Sequence, residues 1–254
     1  MRTVGHRGAS ALAPENTLLA IQLAISHRLD FAEVDVHLSR DRQLVVHHDT
    51  HCTAGDGTRV AIEALTAAEL ARVPKGAGQV IPTLAEVLVL AGRHIGVYVE
   101  LKTRGTAEAL GALLRGMSGV PELIGGSFSP SFVADLRRAA PDVPRSVLFR
   151  RASTATMIQT CRAVGARYAH PCRRPITATS ILRLHAAGLL VMTPHTNDLV
   201  EAQRFRDAGA DLVASDDPRL LVTLRQTHVN GAPGRSVSAD APSREGPARS
   251  RRWR

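Results

Sequence analysis

The chain has 254 residues, 44% of them hydrophobic but only 3% aromatic, and a formal charge of +9 at pH 7. That length allows one large α/β domain or two small ones with a full core, and the lack of any apolar run of about 18 residues gives no reason to expect a membrane span. The charge raises nucleic acid as a partner, but Thr227 to Arg254 carry a net +4, six arginines against Asp240 and Glu245, which leaves +5 for residues 1–226, and the single Trp253 also lies in that tail.

The body therefore offers no stacking platform for bases, and its modest positive excess suits capture of a phosphate anion. Arg2-Thr3-Val4 already reads as strand, leaving no room for a signal segment, so a cytoplasmic protein is expected. Short β-branched or apolar runs then alternate with longer runs of helical period, the pattern of repeated βα units on a parallel sheet. Strands are predicted over residues 3–5, 31–37, 96–102, 123–128, 145–149, 167–170, 190–193 and 212–215. Helices are predicted over 16–27, 84–91, 107–117, 131–139, 154–164, 177–187, 198–207 and 218–224. Eight units in roughly 225 residues match a (β/α)8 TIM barrel, whose catalytic groups gather at the C-terminal ends of the strands. A doubly wound sheet, the alternative, has fewer strands and commonly a glycine fingerprint after the first, whereas Gly5-His6-Arg7-Gly8 is not GxGxxG. Residues 49–81 hold Gly55-Asp56-Gly57, Pro74 and Gly76-Ala77-Gly78 and read as an inserted loop or small subdomain over the barrel mouth. From Gly231 the composition is too polar to bury a core, so a barrel domain over residues 1–226 and a disordered basic tail over 227–254 are expected.

Polar clusters fall at or just past the strand ends. After the first strand come His6 and Arg7, an imidazole suited to proton transfer near neutral pH and a guanidinium fork suited to phosphate. Glu15-Asn16-Thr17 opens the first helix, where a plain cap by Asn16 or Thr17 and a substrate or metal-shell role for Glu15 or Asn16 are both open. On the second strand Glu33 and Asp35, two apart, share a face, with Phe31, Val34 and Val36 expected on the other, buried one. Inward carboxylates are costly without a cation, so both are read as ligands of a hard divalent metal. His37 continues their face. Val45-Val46-His47-His48-Asp49 supplies a further histidine, and spacing does not choose between His47 and His48. At the third strand end Glu100 and Lys102 share a face. Such a pair is usually a structural salt bridge, but here it would add a third carboxylate ligand and a phosphate-facing ammonium. Later strand ends offer Ser127, Ser129, His170, His195, Ser215 and Asp216 as pocket-lining candidates. Cys52, Cys161 and Cys172 have neither CxxC nor metal-ligand spacing and read as ordinary thiols.

In order, His6-Arg7-Gly8, Pro14-Glu15-Asn16-Thr17, Glu33-x-Asp35-Val36 with Asp41, Val45-Val46-x-His48-Asp49, Ile81-Pro82-Thr83-Leu84 and Val99-Glu100-Leu101-Lys102 form one pattern. It resembles the glycerophosphodiester phosphodiesterases of the phosphatidylinositol-phospholipase-C-like barrel superfamily, over about residues 3–225. Each motif alone is weak, and all six in order are specific. The resemblance implies a TIM barrel with an insertion after strand two. It implies His6 and His48 as the acid/base pair with His47 a bystander, Glu33, Asp35 and Glu100 as ligands of Ca2+ or Mg2+, and Arg7 and Lys102 near the phosphate. The implied reaction is metal-dependent hydrolysis of a small-molecule glycerophosphodiester to glycerol 3-phosphate and an alcohol. In it one histidine deprotonates the glycerol 2-hydroxyl, which attacks phosphorus, and the other protonates the leaving alcohol; water then opens a cyclic phosphate with the roles reversed. Family members usually carry Trp-Thr-Val-Asn after strand seven, where this chain reads Met192-Thr193-Pro194-His195-Thr196-Asn197, so the aromatic wall is expected to be missing. That departure leaves cleavage of lysophospholipid headgroups as the alternative substrate reading. A non-enzymatic protein that binds anions or nucleic acid through its basic tail is the alternative class.

Overall fold

The computed structural model describes residues 1–172 and 176–229. Its barrel strands are β1 (Arg2–Gly5), β2 (Phe31–Leu38), β3 (Gly96–Leu101), β4 (Leu123–Ser127), β5 (Arg145–Phe149), β6 (Tyr168–Pro171), β7 (Leu190–His195) and β8 (Leu212–Ser215). The helices that follow them are α1 (Leu18–Ser26), α2 (Leu84–Ala91), α3 (Thr106–Arg115), α4 (Pro130–Ala139), α5 (Thr154–Val164), α6 (Ala178–Ala186), α7 (Leu199–Asp207) and α8 (Pro218–Val229). Each strand pairs in parallel with the next, and β1 pairs with both β2 and β8, so the sheet closes as a (β/α)8 TIM barrel. Among the described residues no helix is long and apolar enough to cross a membrane. Helix α8 runs to Val229, three residues into the stretch expected to be a tail; the remainder of that stretch lies outside the described residues.

The two-residue period of a strand sorts β2 into two layers. Ala32, Val34 and Val36 face the helices and join the outer core with Ile21, Val97, Val99 and Leu110. Phe31, expected beside Val34 and Val36, instead points into the barrel, where it packs with Val4, Tyr98, Ile124, Met192 and Leu212. Its odd number already puts it on the face of Glu33 and Asp35. At the N-terminal end of β2 that face forms the apolar barrel floor, and toward the C-terminal end it turns polar at the mouth.

Helix starts follow local capping. The first helix begins at Leu18, later than expected, because Thr17 is the N-cap and its hydroxyl accepts from the Ala20 N–H. Asn16 lies outside the helix with φ +57°. Thr83 and Glu86 form a capping box at α2, and Asp198 caps α7 through the N–H groups of Val200 and Glu201.

The excursion after β2 begins earlier than residue 49. Leu44–Val46 pairs antiparallel with β2, setting Val36 opposite Val46 and His37 opposite Val45. This short strand ends at Val46, before either histidine. There follow a hairpin of His51–Thr53 with Arg59–Ala61, a helical turn at Ala67–Leu70, and a second hairpin of Pro74–Gly76 with Gln79–Val80. Val45, Cys52, Ile62, Leu70, Val73 and Ile81 give this subdomain a core of its own.

Gly8 ties the loop after β1 to both neighbours: its N–H donates to Gly5 and Glu33 carbonyls, at φ +84°. A Cβ there would lie 2.7 Å from the Ala20 carbonyl carbon. Gly8→Ala is therefore expected to lower stability by about 1–3 kcal/mol, from backbone strain plus overpacking. Gly55→Ala, whose Cβ would meet nothing within 4 Å, is expected to change it by less than about 0.5 kcal/mol. Urea unfolding of the two variants checks this, and equal stability would show that the loop relaxes freely around position 8.

Candidate active site

The parallel register of β2 on β3 sets Asp35 directly opposite Glu100, and Glu33 lies two residues back on the same inner face. One oxygen from each of the three carboxylates lies within 4.8 Å of the others. They are only 4%, 1% and 9% exposed for Glu33, Asp35 and Glu100, so water does little to screen them. Glu33 Oε2 accepts the Arg7 backbone N–H at 2.8 Å. Asp35 Oδ2 accepts from Asn16 Nδ2 at 2.9 Å, while Asn16 Oδ1 accepts the Asp35 N–H at 3.1 Å. Lys102 Nζ stands 3.1 Å from Asp35 Oδ1 and 3.0 Å from Glu100 Oε1. Arg7 places Nε 3.5 Å from Asp35 Oδ2 and donates from Nη1 to Glu15 at 2.6 Å. Both Arg7 and Asn16 have positive φ, held by the bond from the Asn16 N–H to the Arg7 carbonyl and by the grip of Glu33 and Asp35.

The charges shift one another in ways that follow from this packing. Burial and then the charge of Asp35 push the Glu33 carboxyl up to about 8, and the same two causes raise Glu100. Asp35 is also opposed by burial, yet Lys102, the Asn16 amide, His48 and Arg7 together hold it below its ordinary value. Burial would lower Lys102, but Asp35 and Glu100 raise it. Three convergent carboxylates with no sulfur ligand, two of them resisting ionisation, form a donor set suited to a hard divalent cation.

His6 follows β1 directly and is anchored by the far end of the barrel. Its Nδ1 lies 2.7 Å from Asp216 Oδ1, just past β8, and Asp216 also accepts from Ser10 Oγ at 3.0 Å and Asn197 Nδ2 at 2.7 Å. Burial would lower the His6 pKa, but the Asp216 bond and the Glu33 charge raise it. Asp216 in turn is held well below the carboxylate range, the bonds from His6 and Asn197 outweighing burial. His195 stacks on His6 with ring centroids 4.1 Å apart and planes within 8°. His6, His195 and Asp216 also bring ligand atoms within 4.8 Å. Parallel rings aim their in-plane lone pairs side by side rather than at one point, so this group holds His6 in place rather than forming a metal cage.

His48 bonds Asp49 Oδ1 through Nδ1 at 2.8 Å, and its carbonyl accepts from His37 Nε2 at 3.1 Å. His47 turns away: Nε2 donates to the His51 carbonyl at 3.1 Å and Nδ1 accepts from Lys75 Nζ at 3.2 Å. Burial and Lys75 push its pKa down to about 4, so it stays neutral and ties the inserted subdomain together.

A cavity of about 500 Å3 brings together His6, Arg7, Glu33, His48, Glu100, Lys102, His170 and His195. Asp35 and Asn16 sit behind it, Asn16 fully buried, and Glu15 lines a smaller hollow beside Arg7. Ser127 and Ser129 do not line this cavity. The Ser127 hydroxyl donates to the Leu101 carbonyl at 2.7 Å and accepts the Ser129 N–H, and the Ser129 hydroxyl meets Ser131, so both are spent on the β4–α4 turn. Sequence reasoning left Asp216 as a weak pocket candidate; an acid just past the strand that pairs with β1 was the available signal. Nothing local in the sequence links Arg59 or Arg150 to the mouth, whereas Ser10 follows His6 by four residues and Asn197 ends the run after strand seven.

Comparison with known proteins bears on this geometry. The model of the glycerophosphoryl diester phosphodiesterase family matches residues 6–220. The chain is 29% identical to a glycerophosphodiester phosphodiesterase of Bacillus subtilis, covering 88% of this chain and 86% of that protein. It is also 29% identical to one of Caldanaerobacter subterraneus, covering 87% and 96%. The structure of an Oleispira antarctica phosphodiesterase in complex with the product sn-glycerol-3-phosphate superimposes with a TM-score of 0.79 at 25% identity, covering 89% and 97%.

The raised carboxyl of Glu33 has a measurable consequence. A group whose folded pKa exceeds its unfolded value adds stability below the unfolded pKa and loses it as pH rises through the folded one. With chelator present, the thermal midpoint is therefore expected to fall between pH 6.5 and 8, through Glu33 and the raised His6 together. Glu33→Gln is expected to flatten that fall in calorimetry; an unchanged slope would remove Glu33 as its source.

Proposed function

Because the chain belongs to the glycerophosphoryl diester phosphodiesterase family, we propose that it hydrolyses glycerophosphodiesters to sn-glycerol 3-phosphate and an alcohol, with His6 and His48 transferring the protons. The observation that carries this reading is that His6 and His48, each bonded through Nδ1 to a carboxylate, share one cavity with Arg7 and Lys102 beside the grouped carboxylates of Glu33, Asp35 and Glu100. The product held by the Oleispira antarctica phosphodiesterase supports the same substrate half.

Binding starts with charge. Arg7 and Lys102 line the cavity and attract the phosphodiester, the guanidinium as a planar fork and the ammonium as a compact charge. Glu33, Asp35 and Glu100 are the residues that would hold Ca2+ or Mg2+, which when bound neutralises phosphoryl charge and orients a hydroxyl. Asp216 and Asp49 fix the Nδ1 side of His6 and His48, leaving each Nε2 as the nitrogen available for proton transfer. One histidine then removes the proton of the glycerol 2-hydroxyl as its oxygen attacks phosphorus, and the other protonates the departing alcohol oxygen. The cyclic phosphodiester left behind is opened by water with the two roles exchanged, which returns each histidine to its starting state.

The assay is glycerol 3-phosphate release from glycerophosphocholine and glycerophosphoglycerol, with and without chelator. Activity is expected to vanish in chelator and return with Ca2+ or Mg2+. His6→Ala and His48→Ala are each expected to lower kcat on the order of 10²–10⁴. No release from either diester at any divalent cation concentration would overturn the proposal, and faster cleavage of lysophosphatidylcholine would move the substrate to lysophospholipids.

A further inference from the structure

The phosphate end of the cavity is accounted for by Arg7, Lys102 and the carboxylates, but the same cavity has another wall. Arg59 reaches it from the first hairpin of the inserted subdomain and Arg150 from the residue after β5, with Thr50, Phe128 and Leu148 also lining the space. Both arginines are exposed, and among the described residues neither has a carboxylate at ion-pair distance, unlike Arg2 or Arg225 elsewhere on the barrel. The Arg150 guanidinium carbon lies 4.5 Å from the centroid of the Phe128 ring. That contact holds the guanidinium beside the cavity without using any of its N–H donors on a carboxylate.

Groups that would welcome a cation are committed elsewhere. Of the cavity carboxylates, Glu100 contacts Lys102, Glu33 takes the Arg7 N–H, and Asp49 is bonded to His48. Of the aromatic faces, Phe128 carries Arg150, His195 carries His6, and Tyr98 is 0% exposed. An alkylammonium entering here would meet two guanidinium groups and no open aromatic box.

We propose that Arg59 and Arg150 bind the alcohol half of the substrate, selecting alcohols that carry a second anionic group, phosphate or carboxylate, over cationic ones. The inference rests on the hydrolytic reading above. Two matched pairs test it. Glycerophosphoserine differs from glycerophosphoethanolamine by one carboxylate, and phosphorylated glycerophosphoinositol differs from glycerophosphoinositol by one phosphate. The ratio of kcat/KM within a pair cancels any loss of folded enzyme, because both members meet the same preparation. In at least one pair the anionic member is expected to be favoured by about tenfold, the worth of one charge-assisted hydrogen bond. Arg59→Gln and Arg150→Gln are each expected to reduce that ratio, chiefly through KM, and added salt should reduce it too. Preference in the first pair alone assigns the wall to carboxylates, and in the second alone to phosphates. Ratios near one in both pairs, or ratios that neither substitution moves, overturn the inference while leaving the hydrolase intact. Turnover of none of the four diesters overturns the hydrolytic reading and this inference with it.

Discussion

Mutual repulsion among three buried carboxylates is the constraint around which the barrel mouth is built. Two unit charges 4 Å apart repel by about 4 kcal/mol at the effective dielectric of a partly buried site, so Glu33, Asp35 and Glu100 could not be left without compensation. Register forbids the simplest relief. Asp35 and Glu100 face each other across paired strands, and neither can move away without shearing the sheet. Relief comes instead from Lys102 between Asp35 and Glu100, from Arg7, and from the Asn16 amide. The remainder shows in the carboxyls of Glu33 and Glu100, both raised above their ordinary values by burial and the charge of Asp35. A divalent cation among these oxygens would remove the cost that the fold otherwise carries.

The histidines depend on the same closure. His6 leaves β1 beside β2 and β8, so its backbone N–H donates to the Ser215 carbonyl while its ring reaches Asp216 on one side and Glu33 on the other. Chain ends more than two hundred residues apart thus meet at one imidazole. His48 is fixed differently, by the adjacent Asp49 and by the bond from the His37 imidazole on β2 to the His48 carbonyl. The inserted subdomain keeps its own core and joins the mouth by lending Thr50 and Arg59 to the cavity wall. Arg7 and Lys102 accordingly stand just past strand ends, whereas the opposite wall of the cavity is shaped partly by loops, the part of a TIM barrel free to vary without disturbing the closed sheet.

Most of the barrel and the central cluster were readable in the chain, because both depend on short-range periodicity. Alternation of apolar runs with helical segments gives eight βα units, and the two-residue period puts Glu33 with Asp35 and Glu100 with Lys102 whatever the rest of the fold does. Phe31 shows the limit. Its face was fixed by the same period, but that this face forms an apolar floor at one end and a polar mouth at the other is a property of the closed barrel. Ser127 and Ser129 show another: a hydroxyl at a strand end can serve substrate or its own turn, and only the nearby Leu101 carbonyl decides.

Strand-and-helix order, the facing of the carboxylates and, through the ordered motifs, the family resemblance are all carried by residues a few positions apart. Only the closed barrel brings distant groups to one mouth: Asp216 with His6, His195 stacked on that same ring, and Arg59 and Arg150 along one cavity. The physical reason is closure. Pairing β1 with both β2 and β8 converts linear separation into adjacency, and no local propensity encodes the distance across a barrel mouth.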